Sequence, residues 1–322
     1  AAMTQISAGS VIDVSATSAR GEGGRAIVWA DQQTDFAGKI EGQGGALGGD
    51  GAFVEVSGKH VLNYAGLADL SAAFGATGTL LLDPDQAIIS AATDDPSNGA
   101  FNHTVLSTNL ASANVIVDAS AYGDGAGSLL GEIIVNAPVT WSSGNTLTLK
   151  AGSSIAVDSA ATITANSLTI GQNPDAAFVG LNPIPARFRS LNAIDISGVL
   201  NLGTLDLKRE NAGIEGDISI ANAANAIGTL ASSVATGAIK GDIHVVDGAG
   251  GLIVTGNFSN VASSQSPGPT GTTIQHATTI VTTGDLTLAS GAKLAATTGK
   301  DVVLAAQGGA FVNHAGATAV TP

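Results

Sequence analysis

The feature that most constrains this chain is a unit of about 27 residues that recurs between Gly24 and Asp83, which is a period typical of repeat proteins. Gly24, Gly51 and Gly78 are evenly spaced at this period, and each opens a short apolar run. The runs are rich in β-branched or aromatic residues and are bounded by glycine, which is typical of strands. Because a fixed period of this length marks a repeat architecture, the pattern predicts a solenoid. Each turn of chain would pair its strands in parallel with the next turn.

A second set of columns recurs at a step one residue longer than that of the glycines. Asp13, Glu41 and Asp69 form an acidic column, which we expect to face solvent. Phe36 and Tyr64 recur at the same step. Small residues suit the corners of such a coil and branched residues suit its interior, so a chain with 43 glycines and 12% charged residues fits this architecture.

Several segments in the first half of the chain carry a family resemblance. They are Gly24–Asp31, Phe36–Gly38, Gly51–Lys59, Gly78–Pro84, Ile133–Gly144 and Leu147–Gly152. This set resembles the filamentous-haemagglutinin-like exoproteins of two-partner secretion systems. The resemblance implies a right-handed parallel β-helix used for adhesion at the surface of a Gram-negative bacterium. It also implies secretion through a partner transporter in the outer membrane. The matching segments resemble coil-packing signatures, so they name no ligand.

The repeat and the resemblance together predict one all-β domain over residues 1–322. This domain is expected to be a right-handed parallel β-helix with a short helix and loop excursions. The chain begins Ala-Ala-Met without a signal-peptide pattern, and the resemblance therefore implies a fragment of a larger secreted protein.

Two excursions interrupt the rhythm, near residues 84–114 and 171–192. In the first, the apolar residues between Thr104 and Ala113 have helical spacing, which predicts a short helix capped by Thr104. The second contains three prolines and is interpreted as a loop that stands off the coils. Because loops on a rigid scaffold often carry function, we expect recognition in these excursions.

Charge and composition exclude several classes of partner. The net charge is −14, with 26 acidic and 12 basic residues. This balance opposes sequence-independent binding to nucleic acid or to an anionic membrane, since both need a basic surface. The sequence has no run of about 18 apolar residues, so membrane insertion is not predicted. It has no cysteine, which excludes disulfides and thiolate metal sites.

Paired carboxylates near prolines are the candidates for catalysis. Asp83 and Asp85 flank a proline, and Asp94 and Asp95 precede one. Some β-helix enzymes cleave polysaccharides with carboxylates on a coil face. In turn-forming sequence, however, aspartate typically caps local backbone amides. No further acidic cluster aligns with these pairs at the coil period, and we therefore predict no catalytic residue.

Metal and cofactor sites are weakly indicated. The Gly48–Gly51 segment resembles one unit of a calcium-binding nonapeptide, but that motif must repeat in tandem and does not do so here. The five histidines are scattered along the chain, and no pair indicates zinc or haem. The expectation is that the chain has neither cofactor nor metal.

One basic concentration is a candidate ligand-binding patch. It consists of Arg187, Arg189, Lys208 and Arg209, which flank the second excursion. Arginine forks suit an anionic glycan or a partner's carboxylates. The alternative is that these side chains pair with surface acids of the same chain.

The two tryptophans are both expected to be structural. Trp29 aligns with Val56 at the same step as the glycines, which predicts that it packs in a column of the coil. Trp141 precedes a turn within one of the family-like segments.

The function expected from these features is that of a non-enzymatic, secreted adhesin segment. Its partners would be a host or surface glycan or protein, and the full-length chain would also engage the outer-membrane transporter. Three alternatives remain open. One is a polysaccharide-acting β-helix enzyme, the second is an exoprotein of the same secretion class that captures a haem carrier, and the third is a spacer without any ligand.

Overall fold

A computed structural model describes nine ranges of the chain, and these form two compact units. The ranges are 1–91, 99–120, 131–172, 193–209, 216–232, 239–260, 262–265, 272–316 and 320–321. The first unit comprises Ala1–Lys150 with Thr164–Ser167, and the second comprises Ala151–Ile163 with Leu168–Pro322. A single domain over residues 1–322 stays a prediction. None of the helices in the described ranges has the length and apolarity needed to cross a membrane.

Short strands make up most of the first unit. In chain order they are β1 (Met3–Ile6), β2 (Val11–Asp13), β3 (Arg25–Ala30), β4 (Gln33–Phe36), β5 (Lys39–Glu41), β6 (Phe53–Gly58), β7 (Val61–Tyr64), β8 (Leu67–Asp69), β9 (Thr79–Pro84), β10 (Ala87–Ser90), β11 (Ala100–Asn102), β12 (Asn114–Ala119), β13 (Ile133–Val135), β14 (Val139–Thr140) and β15 (Leu147–Ala151). The ladders run β1-β4-β7, β2-β5-β8, β11-β10-β13 and β3-β6-β9-β12-β15. Most neighbouring strands come from successive turns of chain and pair in parallel, which confirms the parallel β-helix.

Alternate side chains of each strand fill the inside of the coil. In β6 and β9 the inward residues are Val54, Val56, Leu80 and Leu82, and each is at most 1% exposed. Val54 lies beside Leu80 and Val56 beside Leu82 in the ladder. Fully burying one such side chain stabilises the fold by about 1.5–3 kcal/mol. The stacked columns therefore form one continuous apolar interior within the unit.

The acidic and aromatic columns predicted from the sequence are confirmed. Asp13 pairs with Glu41, and Glu41 pairs with Asp69. Phe36 pairs with Tyr64, and their rings stack with centroids 5.5 Å apart and an interplanar angle of 9°. The two rings are buried, so the aromatic pair adds to the interior of the coil.

The predicted column of evenly spaced glycines is wrong by one residue in its middle member. Arg25 pairs with Phe53, and Phe53 pairs with Thr79. The first step is therefore one residue longer than predicted, and the second is one residue shorter. Ala52, rather than Gly51, takes the position between Gly24 and Gly78. The corner between the second and third coils is two residues shorter than the corner before it. The two steps therefore still average the predicted period, and the spacing of the glycines does not show the shift of the middle position.

The first excursion contains the predicted short helix, α1 (His103–Asn109). Its N-cap is Asn102 rather than Thr104, and the Asn102 side chain accepts hydrogen bonds from the backbone N–H groups of Thr104 and Val105. Asparagine is among the strongest N-caps, since its oxygen satisfies N–H groups that lack a partner in the first turn. The prediction of the helix is confirmed, and its cap lies two residues earlier than expected.

The helix α1 covers the free edge of β8, the last strand of its ladder. Asn109 is 2% exposed and donates to the backbone oxygen of Gly66 at 3.1 Å. The hydroxyl of Ser112 donates to the oxygen of Ala68 at 2.9 Å, and the N–H of Leu70 donates to the oxygen of Ser112 at 3.1 Å. Edge groups of β8 thus find partners on the helix and the turn that follows it. In the described ranges this excursion is part of the stack.

The second unit is also built from short strands. In chain order they are β16 (Ile155–Val157), β17 (Thr162–Gln172), β18 (Ile194–Ile196), β19 (Val199–Arg209), β20 (Ile218–Ile220), β21 (Ala226–Ser232), β22 (Ile243–Asp247), β23 (Leu252–Ser259), β24 (Ser263–Gln265), β25 (Thr272–Ile274), β26 (Thr278–Thr282), β27 (Leu286–Leu288), β28 (Lys293–Ala295), β29 (Val302–Ala306), β30 (Phe311–Asn313) and β31 (Val320–Thr321). The long ladders run β16-β18-β20-β22-β26-β29 and β19-β21-β23-β27-β30.

Coils of the second unit are shorter than those of the first. Ile194 pairs with Ile218, and Ile218 pairs with Ile243, so each step is a few residues shorter than the steps of the acidic column. All three isoleucines are buried. The strands β24 and β25 pair antiparallel, in contrast to the parallel ladders around them. A solenoid tolerates such insertions, because each coil contacts mainly its neighbours.

A corner of the second unit contains buried polar side chains. Asn225 Oδ1 accepts the N–H of Leu200 at 2.9 Å, and Asp247 Oδ1 accepts the N–H of Ile227 at 2.8 Å. Thr282 Oγ1 donates to Asp247 Oδ2 at 2.9 Å. Burial raises the pKa of the Asp247 carboxyl, and the hydrogen bonds it accepts oppose that rise. These side chains satisfy backbone groups where the chain turns between ladders.

Candidate functional site

The outward surface of the β3-β6-β9-β12 ladder carries large apolar side chains. Because side chains alternate along a strand, the neighbours of the buried column residues point away from the coil. Ile27 is 54% exposed and Trp29 is 46% exposed. The outward residues Phe53, Leu81 and Ile116 are partly exposed. We define the outer face as Ile27, Trp29, Phe53, Glu55, Leu81, Asp83, Ile116 and Asp118.

The register of the ladder arranges these residues in columns. One column runs through Ile27, Glu55, Leu81 and Ile116. The next runs through Trp29, Ser57 and Asp83. Asp118 follows Val117, which pairs with Leu82, and so it extends this second column. A third column places Phe53 beside Arg25, whose guanidinium carbon lies 5.2 Å from the centroid of the phenyl ring. The outer face therefore has one column that is apolar except for Glu55, and a second column, here called the Asp83 column, that begins at Trp29 and ends in two aspartates.

The Asp83 column contains one carboxyl with a strongly shifted pKa. Burial raises the pKa of Asp83 to about 7, and the nearby Asp118 and Glu55 carboxylates add to the rise. Lys150 opposes this shift, but its Nζ lies 3.2 Å from Asp118 Oδ2 and forms an ion pair there. Like charges close together disfavour ionisation of the more buried group. The potential beside Asp83 is therefore negative.

One coil before Asp83 the ladder has Ser57 rather than an acid, but the next, longer coil continues the Asp83 column with a second aspartate. Asp118 lies in the next coil of the same ladder, and Glu55 lies in the coil before. The step from Asp83 to Asp118 is longer than the earlier steps of the ladder, because the excursion that contains α1 lengthens this coil. The sequence contains a different signal for the alignment of Asp83 with Asp118, because Leu80–Leu82 and Val115–Val117 are each followed directly by aspartate. Of the other predicted carboxylates, Asp94 and Asp95 lie outside the described residues.

The prediction for Trp29 is wrong and that for Trp141 is confirmed. Trp29 pairs with Ser57 rather than with Val56, so the shift of one residue turns its side chain from the interior to the outside. Trp141 is 5% exposed, and its indole N–H donates to the backbone oxygen of Asn145 at 2.8 Å. The molecule thus has one exposed and one buried tryptophan.

The predicted basic patch is described in part. Arg187 and Arg189 lie outside the described residues. Arg209 ends β19, and its side chain also lies outside the description. Lys208 Nζ lies 3.6 Å from Asp206 Oδ2, two residues away on the same strand. This contact corresponds to the alternative in which the basic residues pair with surface acids, and ligand binding by the patch stays a prediction.

The candidate calcium segment forms a turn. Gly48 and Gly49 have φ angles of 146° and 116°, values that favour glycine. Asp50 Oδ1 accepts the N–H of Ala76 at 2.8 Å, so its carboxylate satisfies a backbone group of the next coil. Within the described ranges, no group of three or more His, Cys, Asp or Glu side chains is arranged to hold a metal ion.

The histidines make separate local contacts in three of five cases. His60 Nδ1 lies 3.2 Å from Asp85 Oδ2, and His103 Nδ1 lies 2.6 Å from the backbone oxygen of Pro138. His276 is 7% exposed, its backbone N–H donates to Thr297 Oγ1, and its Nδ1 lies 3.8 Å from Asp242 Oδ1.

Comparison of the sequence with protein-family models finds no match, and neither does comparison with curated proteins. The resemblance to filamentous-haemagglutinin-like exoproteins therefore rests on the quoted segments, and membership of that family stays a prediction.

Proposed function

We propose that this chain is a β-helical segment of a secreted adhesin, which presents binding surfaces for attachment to a cell or another surface. In this proposal it belongs to a filamentous-haemagglutinin-like exoprotein that a Gram-negative bacterium secretes through an outer-membrane partner transporter. The observation that carries the binding role is the outer face, where Ile27 and Trp29 are about half exposed on a regular sheet. A surface of this kind marks an interaction site.

The architecture supports this role because the two faces of each strand contribute differently: one face forms the interior and the other is exposed. Inward side chains such as Val54 and Leu80 form the interior, and parallel ladders satisfy the backbone groups. Outward side chains are then free to serve recognition. A scaffold held together coil by coil keeps these side chains at fixed spacing, which lowers the entropy lost on binding.

The test is a binding screen of the purified chain on immobilised glycans, host-matrix proteins and cultured epithelial cells. The Trp29→Ala variant is the matched comparison, since the exposed indole contributes little to the interior. We expect saturable binding to at least one surface and a loss of at least about ten-fold with the variant, because buried aromatic anchors dominate interfaces. Absence of saturable binding across the panel would contradict the adhesin proposal.

A carbohydrate-cleaving activity is a second candidate, and the pair Asp83 and Asp118 favours it. One carboxyl has a pKa raised to about 7 by burial, and the other is ion-paired with Lys150. Glycosidases divide acid and base roles between two carboxyls in this way. Incubation with a panel of acidic and neutral polysaccharides would release reducing ends. The Asp83→Asn variant would abolish that release if the pair is catalytic, and no release from any substrate would exclude the activity.

A further inference from the structure

The outer face differs from another outward surface of the same unit. On the β4-β7 ladder the outward side chains other than Val61 are polar and bind one another. Gln33 Nε2 donates to Asp35 Oδ1 at 2.8 Å, and Asn63 Nδ2 donates to the same oxygen at 2.6 Å. That surface is satisfied by its own hydrogen bonds. The outer face instead leaves Ile27 and Trp29 about half exposed to water.

The fold itself does not require apolar side chains at these positions. The interior of these coils is already filled by the alternate residues, for example Val28, Val56 and Leu82. Scattered exposed apolar residues are ordinary, whereas here five lie on the same side of four successive strands, with Glu55 between Ile27 and Leu81. Covering this patch with apolar side chains of another molecule would remove it from water, which favours binding in proportion to the apolar area covered.

The charges beside the patch decide what covers it. Asp83 and Glu55 lie close together, and the nearby ammonium of Lys150 is engaged with Asp118 at 3.2 Å. A cation brought to Asp83 would relieve the repulsion among the carboxylates. A second copy of this chain would bring a net charge of −14, which opposes self-association here. Electrostatic complementarity therefore favours a basic partner.

The spacing of the columns sets the shape of that partner. The two columns of the outer face are two residues apart along the strands, or roughly 6.7 Å. Four strands at ~4.8 Å separation span about 14 Å, which corresponds to roughly ten residues of α-helix at ~1.5 Å per residue. A helix lying across the strands would place one stripe of side chains over each column, and in the stripe over the second column the residue that meets Trp29 would be apolar and the residue that meets Asp83 would be basic.

We propose that the outer face binds a basic amphipathic helix of another protein, with apolar residues of the helix on Ile27, Trp29 and Leu81 and a lysine or arginine on Asp83. This inference rests on the proposed binding function and names a partner class for it. The contact buries the exposed apolar residues and supplies a cation to Asp83.

Synthetic peptides of about 18 residues, long enough to cover the four strands as a helix, provide the test. The first peptide places leucines at helical spacing with lysines on the flank. The second replaces the lysines with glutamates, the third replaces the leucines with serines, and the fourth scrambles the first. Titration into the full chain is followed by tryptophan emission, since Trp29 is exposed and Trp141 is buried. We expect saturable binding and a blue shift with the first peptide, and at least ten-fold weaker binding with the others.

Three variants locate the binding. Trp29→Ala and Asp83→Asn should each weaken the first peptide by about ten-fold, measured by anisotropy of a labelled peptide. Raising salt from about 50 mM to about 300 mM should weaken binding to the native chain more than to Asp83→Asn, because screening acts on the charge pair. Ile253→Ser is the matched control, since Ile253 is 44% exposed on β23 and outside the outer face. Circular dichroism confirms that each variant is folded.

Several results would overturn the inference. These are equal binding of all four peptides, no binding of the first peptide, or unchanged binding by Trp29→Ala. Self-association of the chain that Trp29→Ala abolishes in sedimentation equilibrium would show that a second copy covers the face. Cell binding that persists in all variants while the first peptide fails to bind would leave the adhesin proposal standing and refute this one. Peptide binding without any cell binding would support this inference and contradict the adhesin proposal.

Discussion

The side-chain oxygen of Asn109 accepts the backbone N–H of Ala68 at a distance of 2.7 Å. Ala68 lies in β8, beyond which its ladder has no further described strand, and Asn109 ends the helix α1 that packs on this edge. A side chain thus takes a hydrogen-bonding position that a further strand would occupy. Unpaired strand edges invite association with other chains, and the helix prevents that here.

Replacing Asn109 with leucine should cost about 2–4 kcal/mol in the free energy of unfolding, measured by urea denaturation, because two buried backbone groups lose their partners. These groups are the N–H of Ala68 and the oxygen of Gly66, and the desolvation of each is then uncompensated. The variant should also self-associate through the exposed edge of β8, as seen by sedimentation velocity.

The matched control is Thr108→Ala. Thr108 precedes Asn109 on the helix and is exposed, and its hydroxyl donates within the helix to the oxygen of Thr104 at 2.8 Å. This change should alter the free energy of unfolding by less than about 0.5 kcal/mol. Equal stabilities of the two variants would contradict the edge-capping role of Asn109.

Replacing Asp83 with asparagine should stabilise the chain at pH 8 and have little effect at pH 4. The pKa of Asp83 rises from 3.8 in the unfolded chain to about 7 in the fold. Its contribution to stability is therefore complete below about pH 4 and is lost as the pH rises through 7. Because the carboxyl is partly exposed, we expect a gain of about 1–2 kcal/mol at pH 8 in urea unfolding.

Asp13→Asn serves as a control of opposite sign. Hydrogen bonds from Ser15 lower the pKa of Asp13. Its stabilisation is therefore present above the unfolded pKa and is lost as the pH falls. This variant should be less stable than the native chain at pH 8, and the difference should vanish in acid. If the two variants showed the same pH trend, the raised pKa of Asp83 would be contradicted.

The fold could be predicted because its columns repeat where the corners keep their length. Asp13, Glu41 and Asp69 could be aligned from the sequence, since the two steps between them are equal. A constant period could not predict the outer face, because the steps of its ladder are unequal. The step from Arg25 to Phe53 is two residues longer than the step from Phe53 to Thr79. Because successive side chains of a strand point to opposite faces, an error of one residue in the register assigns each side chain to the wrong face.

Other features depend on tertiary contacts and have no local signature. The helix α1 could be predicted from apolar spacing, whereas the role of Asn109 could not, because its partner Ala68 is 41 residues away. The sequence signal for the Asp83 column is a run of three apolar residues followed by an aspartate. It becomes visible only when Leu80–Leu82 is aligned with Val115–Val117 across the excursion.

The exposure of the two tryptophans gives a direct spectroscopic prediction. In the Trp141→Phe variant, emission should come from Trp29, lie at longer wavelength and be quenched readily by acrylamide. In the Trp29→Phe variant, emission from buried Trp141 should be blue-shifted and quenched several-fold less. Trp141→Phe should also lose about 1 kcal/mol or more of stability, because the bond to Asn145 is removed. Equal quenching in the two variants would contradict the register of β3 with β6.

The buried corner of the second unit predicts a reciprocal pair of substitutions. Asp247 is fully buried, and burial raises its pKa. Its ionised form is therefore a cost that grows as the pH rises. In Asp247→Asn the amide oxygen can still accept the N–H of Ile227, while the buried charge is removed. This variant should be more stable than the native chain at pH 8, and the difference should shrink as the pH is lowered.

The reverse change at Asn225 should act in the opposite direction. Asn225 Nδ2 donates to the backbone oxygen of Val246 at 3.0 Å, while its Oδ1 accepts the N–H of Leu200. In Asn225→Asp an ionised carboxylate would face the carbonyl of Val246 with no hydrogen to donate. The variant should lose about 1–3 kcal/mol at pH 8 and regain part of this in acid, where a protonated carboxyl can donate again. Urea unfolding of both variants at pH 5 and pH 8 measures the two trends. Parallel trends would contradict the assignment of a buried carboxyl with a raised pKa at Asp247 and of a neutral donor and acceptor at Asn225.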